Sequence, residues 1–213
     1  MHEWHEGVIF AKNLILKLKG TYFHRSDVNQ LAKSLLGKYL FTSFGNKLTG
    51  GVISETEAYA GTGDKASHAY GGRRTQRTET MYAKGGVAYV YLCYGIHHLF
   101  NVVTNVEDVP HAILVRGIRP AYGIEDILKR RKKNKLDKNI CSGPGKVSQA
   151  LGIKTAHTGT PLNGSEIWIE DLGVSVSPGQ IKNTPRIGVD YAGEDALLPY
   201  RYLLVGELSS AGG

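Results

Sequence analysis

Apolar residues recur in two rhythms along this chain, and the switches between them mark where elements begin and end. In TYFHRSDVNQLAKSLLG, residues 21–37, Val28, Leu31, Leu35 and Leu36 fall on one face at helical spacing. Ser26 or Asp27 can cap the start and Gly37 can end it, which predicts a helix over this stretch. The period then drops to two. KYLFTSF reads as a strand, GNKLTGG as a turn and VISETEAYA as a second strand, together a hairpin. VAYVYLCYGIHHLFNVVTN is the strongest β signal, with strand-like residues from Val87 to Cys93 and Leu99 to Thr104 and YGIH as the turn. HAILVRGIRP predicts another strand, ending before Pro120. GIEDILKRRKKNK begins as a helix on Ile124, Ile127 and Leu128 and runs out in a basic stretch. GPGKVSQALGI predicts a turn and a short helix closed by Gly152, and EIWIEDLGV and YRYLLVGEL read as strands. Residues 60–86 carry Gly, Thr and Arg without periodicity, and so long a loop between regular strands points to function. With no repeat and no linker, the pattern predicts one α+β domain over residues 1–213.

Composition narrows this in three ways. With 213 residues, 41% of them hydrophobic, the chain can bury a sizeable core. Its longest apolar runs are too short to span a bilayer, and the opening MHEWHEGVIFAKNLILKLKG mixes charge into its apolar stretch, unlike a signal peptide. A soluble cytoplasmic protein is expected. Two cysteines, Cys93 and Cys141, cannot build a disulfide scaffold, and Cys93 reads as a packed core thiol inside a strand. The net charge of +7 favours a polyanionic partner, with nucleic acid ahead of an anionic membrane.

Candidate chemistry gathers in a few places. Extended backbone sends alternate side chains to opposite faces, so Glu55, Glu57 and Tyr59 are expected on one side of their strand. A carboxylate beside an aromatic in a groove can act as a general base or stabilise a cation, although two solvated surface glutamates give the same pattern. In AYVYLCYG, Tyr89 and Tyr91 share a face and Tyr94 stands beside the turn glycine. A tyrosine at a hairpin tip can stack on bases or wedge between them, while strand propensity alone also accounts for Tyr89. Arg73, Arg74, Arg77 and Lys84 lie on a glycine-flanked loop suited to phosphate contacts. The Lys129–Lys135 run is either a solvated helix end or a further DNA contact. SGPGK, ending in Lys146, resembles a phosphate-gripping turn without the spacing of a P-loop. His68, His97, His98 and His111 form no zinc pattern, and His97 and His98 should point to opposite strand faces. No metal site is expected, and the G-x-S-x-G nucleophile elbow is absent.

Several stretches together resemble the alkyladenine (3-methyladenine) DNA glycosylase family. They are ETEAY, SHAYGGRRTQRTETMY, GGVAYVYLCYGIHHLFNVV, AILVRGIRP, SGPGKVSQALGI and PRIGVDYAGE, in the family's order, spanning about Tyr22 to Glu207. The resemblance implies a curved antiparallel sheet with flanking helices and a protruding β-hairpin. It makes Glu57 the glutamate that activates the attacking water, Arg116 an arginine that helps hold that water, and Val189 a third holder through its backbone carbonyl. Tyr59, His68 and Tyr91 match the pocket that stacks the flipped base, with His68 also bonding the base through its backbone. Asn101 matches a pocket asparagine that disfavours guanine, and Tyr94 the wedge pushed into the duplex. Between Asn101 and Arg116 the chain is slightly longer than some relatives, and the extra length should fall in a turn.

These matches imply a monofunctional glycosylase of base-excision repair that hydrolyses the N-glycosidic bond of alkylated or deaminated purines, acting as a monomer on double-stranded DNA that contains such damaged purines. No cofactor is required, no membrane is involved, and a bacterial, nucleoid-associated setting is implied. Two other readings exist. One is a non-catalytic protein that marks damaged or structured DNA; a carboxylate turned toward phosphates argues against it. The other is a sugar hydrolase using Glu55 and Glu57 as a pair. Neighbours two apart on a strand point the same way and cannot flank a bond from opposite sides.

Overall fold

The computed structural model describes residues 16–206. Eight strands form one sheet: β1 Tyr39–Phe44, β2 Lys47–Tyr59, β3 Ala88–Cys93, β4 His97–Thr104, β5 His111–Tyr122, β6 Ile167–Glu170, β7 Ile181–Thr184 and β8 Arg201–Leu204. Every strand pair is antiparallel, in the order β3-β4-β5-β2-β1-β6, with β8 also on β2 and β7 on β8. The long strand β2 therefore has β5 along one edge and two partners along the other. Lys47–Val52 pair with β1, and Glu55–Glu57 pair with β8. Register shifts at Gly50/Gly51 and around Glu55 bend β2 between its two partners and curl the sheet.

Among the described residues three α-helices pack on this sheet: α1 Val28–Leu35, α2 Ile124–Arg131 and α3 Pro144–Leu151. The main core joins Leu31 and Leu35 of α1, Ile53 of β2, Phe100 of β4, Ile113 of β5 and Leu151 of α3, all fully buried. A second cluster lies under residues 60–86, where Met81 and Tyr82 pack on Tyr89, Val103 and Ala112. Burying one such side chain stabilises by roughly 1.5–3 kcal/mol. The long loop is thus an anchored part of the fold, built from 3₁₀ turns at Gly61–Gly63, Tyr70–Gly72 and Glu79–Tyr82.

The structure corrects several expectations. The helix predicted over 21–37 splits into a 3₁₀ turn, Gly20–His24, and α1. Asp27, not Ser26, is the N-cap, accepting the backbone N–H groups of Asn29 and Gln30, and Gly37 lies just past the end at φ +84°. The turn read in GNKLTGG is confined to its start, and Gly50 and Gly51 belong to β2. A Cβ on Gly51 would stand 2.4 Å from the Arg119 carbonyl oxygen, so the glycine serves close strand approach. β5 continues through Pro120 to Tyr122, because Pro120 pairs with Gly51 at the register shift, where a missing N–H is tolerated. Strand β7 has no clear signal in its IKNT sequence. Between Asn101 and Arg116 the chain turns at residues 105–110. No described helix is long and apolar enough to cross a membrane.

Candidate active site

The curl of β2 places Glu57 just beneath a cavity of about 450 Å³, in contact with Tyr59, Arg116 and Ile187, which line it. The cavity lies between β3–β5, the loop around His68, the start of α3 and residues 187–191. Glu57 is fully buried. Its Oε1 accepts the backbone N–H of Ile187 at 2.8 Å, and its Oε2 accepts the Tyr59 hydroxyl at 2.9 Å. Burial pushes its carboxyl above the ordinary value of 4.5, and Arg116, the Ile187 N–H and Tyr59 only partly offset that. Tyr59 is pushed well up by burial and by Glu57, so it stays protonated and remains a donor.

Alternation works as expected on either side of the bend. Thr56 turns away and donates to the Ala32 carbonyl, whereas Glu55 and Glu57 both meet Arg116. Arg116 Nε donates to Glu55 Oε1 at 3.0 Å and lies 3.4 Å from Glu57 Oε1. Its terminal nitrogens have no hydrogen-bond partner among the described residues, and the side chain lines the cavity. Glu55 is not a surface residue: its side chain is 12% exposed and also accepts Arg201 Nε at 2.6 Å. Val189 is buried at the cavity wall, and its carbonyl already accepts the Ala192 N–H, which leaves one lone pair.

Three rings form the upper wall. His68 meets Tyr91 edge-on at 4.6 Å between centroids, and Tyr89 and Tyr91 lie 5.7 Å apart on their shared face. His68 Nδ1 and the Tyr89 hydroxyl are hydrogen-bonded at 2.9 Å. Burial, with Arg77 and Arg73 nearby, pushes the His68 imidazole down to about 4, so it is neutral at physiological pH. The His68 backbone N–H has no partner among the described residues. Asn101 is pinned by donating its amide to the Tyr89 and Leu99 carbonyls. Cys93, expected in the core, is only half-buried and lines the cavity, because the hairpin carrying it leaves the sheet at that point; Cys141 is the buried thiol.

Beyond the cavity the β3–β4 hairpin projects. Tyr94 is 89% exposed at its tip with φ +51°, beside Gly95 at φ +71° and an exposed Ile96. A left-handed tyrosine costs about 1 kcal/mol or more. His97 lies against Gly145, while His98 turns away and accepts the Thr155 N–H.

The basic residues separate into distinct groups. Arg73 is exposed. Arg74 is engaged by Glu79 and Asp108 at 2.7 Å each and lies over Tyr82. Arg77 lies over the Tyr91 ring at 5.2 Å, and Lys146 lines the cavity from α3. Within the Lys129–Lys135 run, Arg130 and Arg131 are spent on internal bonds to Thr49, Ile140 and Gln149.

Sequence reasoning missed the keystone beside Glu57. Arg186 is buried and bonds both oxygens of buried Asp64, at 2.5 and 2.8 Å. It also donates to the Ala58 carbonyl and lies over the rings of Tyr59 and Tyr200. Its chain neighbour Ile187 thereby reaches Glu57 across 130 residues of sequence. The PRIGV stretch held the only signal, an arginine directly before residues already matched. Among the described residues no cluster of His, Cys, Asp or Glu could hold a metal ion.

Comparison with known proteins agrees with this geometry. Residues 21–208 match the family described as Methylpurine-DNA glycosylase (MPG). The chain is 48% identical over 188 residues to a protein of Chlamydia felis (strain Fe/C-56), covering 88% of this chain and 95% of that one. It is 41% identical over 193 residues to one of Clostridium perfringens (strain 13 / Type A), covering 87% and 94%. It is 43% identical over 194 residues to one of Bacillus thuringiensis (strain Al Hakam), covering 86% and 94%. All three are provisionally named 3-methyladenine DNA glycosylase. A buried carboxylate under an aromatic cavity, in a chain matched over nearly its whole described length, makes this protein a member of the methylpurine-DNA glycosylase family.

Proposed function

We propose that this protein is a DNA glycosylase that hydrolyses the N-glycosidic bond of alkylated purines such as 3-methyladenine, the first step of base-excision repair. The observation that carries the reading is Glu57, fully buried and held by two neutral donors beneath a cavity walled by tyrosines. A base inside a duplex is unreachable, so the purine is flipped into the cavity and Tyr94 fills the gap. The aromatic wall of Tyr59, Tyr91 and neutral His68 suits an electron-poor, methylated ring. The pinned Asn101 cannot swing aside for extra bulk.

In the reaction the bond between C1′ and the base breaks, and its electron pair leaves with the base. Positive charge develops on the sugar, and the Glu57 carboxylate stabilises it. Water adds to C1′ and gives its proton to Glu57. The free N–H groups of Arg116 and the Val189 carbonyl hold that water. Arg73, Arg77 and Lys146 serve the DNA backbone; Arg74 joins them only by loosening its ion pairs. Among the described residues Lys146 is the lysine that lines the cavity, and it serves the DNA backbone rather than attacking the sugar, so the product is an abasic site without strand cleavage. The chain acts as a single unit, a monomer on duplex DNA in the cytoplasm.

Incubation with methylated DNA tests the reading. Free 3-methyladenine should appear, and its absence, with release by a control glycosylase, would overturn the assignment.

A further inference from the structure

Two arginines lie beside the two carboxylates of β2, Glu55 and Glu57. Arg116 on β5 is the nearest cation to Glu57, and Arg201 on β8 is its cross-strand partner in the sheet register. Neither donates its Nε to Glu57. Both donate to the same atom, Glu55 Oε1, at 3.0 and 2.6 Å. Glu57 receives only the Ile187 N–H and the Tyr59 hydroxyl, both neutral. The backbone makes room for this arrangement: Gly117 lies opposite Glu55, and a Cβ there would stand 3.1 Å from Glu55 Cβ.

We propose that Glu55 is a positioning residue that draws Arg116 and Arg201 away from Glu57, so that Glu57 keeps its basicity and Arg116 keeps its outer N–H groups free for water. A bidentate arginine–carboxylate pair is strong and directional, and such a pair on Glu57 would lower its proton affinity and occupy its lone pairs. Glu55 prevents that by offering the guanidinium groups a second carboxylate. The other groups facing Glu57 are Tyr59 on its own strand, Tyr91 on β3, and Arg186 and Tyr191 from the segment after β7. None of them contacts Glu55 by a hydrogen bond among the described residues. The inference rests on Glu57 as the base.

The test is the titration of the Glu57 carboxyl, followed by carbon-13 NMR and assigned by comparison with Glu57→Gln, together with the pH profile of kcat/KM. In Glu55→Gln the Glu57 midpoint should fall, kcat should drop at least tenfold with little change in binding of damaged DNA, and the acid limb should move to lower pH. Losing the Glu55 charge alone would lower the midpoint, so Glu55→Asp separates the two causes. It keeps the charge, shortens the reach, and should give the same downward shift at smaller size; it also stands in if Glu55→Gln does not fold. An unmoved midpoint in Glu55→Asp would overturn the proposal, as would a kcat loss with no change in titration. If the wild type released no base, Glu57 as the base would fail, while the titration would still decide the role of Glu55.

Discussion

The cavity floor and the hairpin tip solve opposite problems with opposite physics. Around the floor each carboxylate is held by its own chain: Glu57 by the Ile187 N–H and Tyr59, Glu55 by two arginines, Asp64 by Arg186. At the tip Tyr94 has almost no contact with its own chain and sits in a strained left-handed conformation. With Glu57 as the proposed base the floor must not move, because a misplaced carboxylate would lose the developing charge. Under the proposed function the tip must be available, because its partner would be the gap left in a base stack. Hydrogen bonds and ion pairs concentrate around Glu57, whereas the left-handed Tyr94 stands exposed.

The sharpest way to break this comparison is at Glu57. Glu57→Gln keeps the shape of the site and should lower the rate of base release by about 10³-fold, while damaged DNA still binds. Single-turnover kinetics beside a binding titration would separate the two, and near-normal turnover would remove Glu57 as the base. Next in size is the buried pair. Asp64→Asn should destabilise by roughly 3–5 kcal/mol in urea unfolding, because Arg186 is left buried without its counter-charge. A loss below 1 kcal/mol would mean the floor is less fixed than its geometry shows.

The tip should behave in the reverse sense. Tyr94→Ala should weaken binding to a lesion duplex about tenfold, the scale of one lost base-stacking contact, with little change in melting temperature. Tyr94→Asn suits the left-handed turn better and should raise the melting temperature by about 2–4 °C while still losing DNA affinity. A lowered melting temperature would show that the tyrosine supports the hairpin rather than straining it.

The smallest effect is a pH signature of the floor. Because burial raises the folded-state Glu57 carboxyl above 4.5, the folded protein binds its proton more tightly than the unfolded chain does. The stability contributed by the protonated form is complete below the unfolded value and is lost as pH rises through the folded one. Glu57→Gln should therefore be more stable than wild type at pH 7, with the gap shrinking as pH falls toward 4.5. A gap independent of pH would contradict the raised carboxyl.

Much of this was legible along the chain wherever the deciding interactions are local. Period-two alternation placed Tyr89 and Tyr91 on one face and Glu55, Glu57 and Tyr59 on another, and the exposed turn at Tyr94 followed from YGIH between two strands. The family motifs then separated Glu57 from Glu55, which alternation alone left equal. The reading failed where a distant partner changes a local preference. Gly50 and Gly51 resemble a turn until β5 approaches at the bulge, and Pro120 resembles a strand end until it meets Gly51. Cys93 has a core residue's pattern on a strand that leaves the core, and Arg74 has a phosphate-binder's setting until Asp108 comes to it from 34 residues away.

By itself the sequence determined the strand and helix rhythm, the exposed tyrosine at the hairpin tip, and a carboxylate and a tyrosine on the same strand face. These follow from neighbours within a few residues, where periodicity and turn chemistry act. Only the tertiary structure decided what surrounds that carboxylate. The N–H of Ile187, the keystone Arg186–Asp64 and the arginines on Glu55 come from β5, from β8 and from the segment between β7 and β8, up to 146 residues away. Their effect depends on burial and on distances of about 3 Å, which no local pattern encodes.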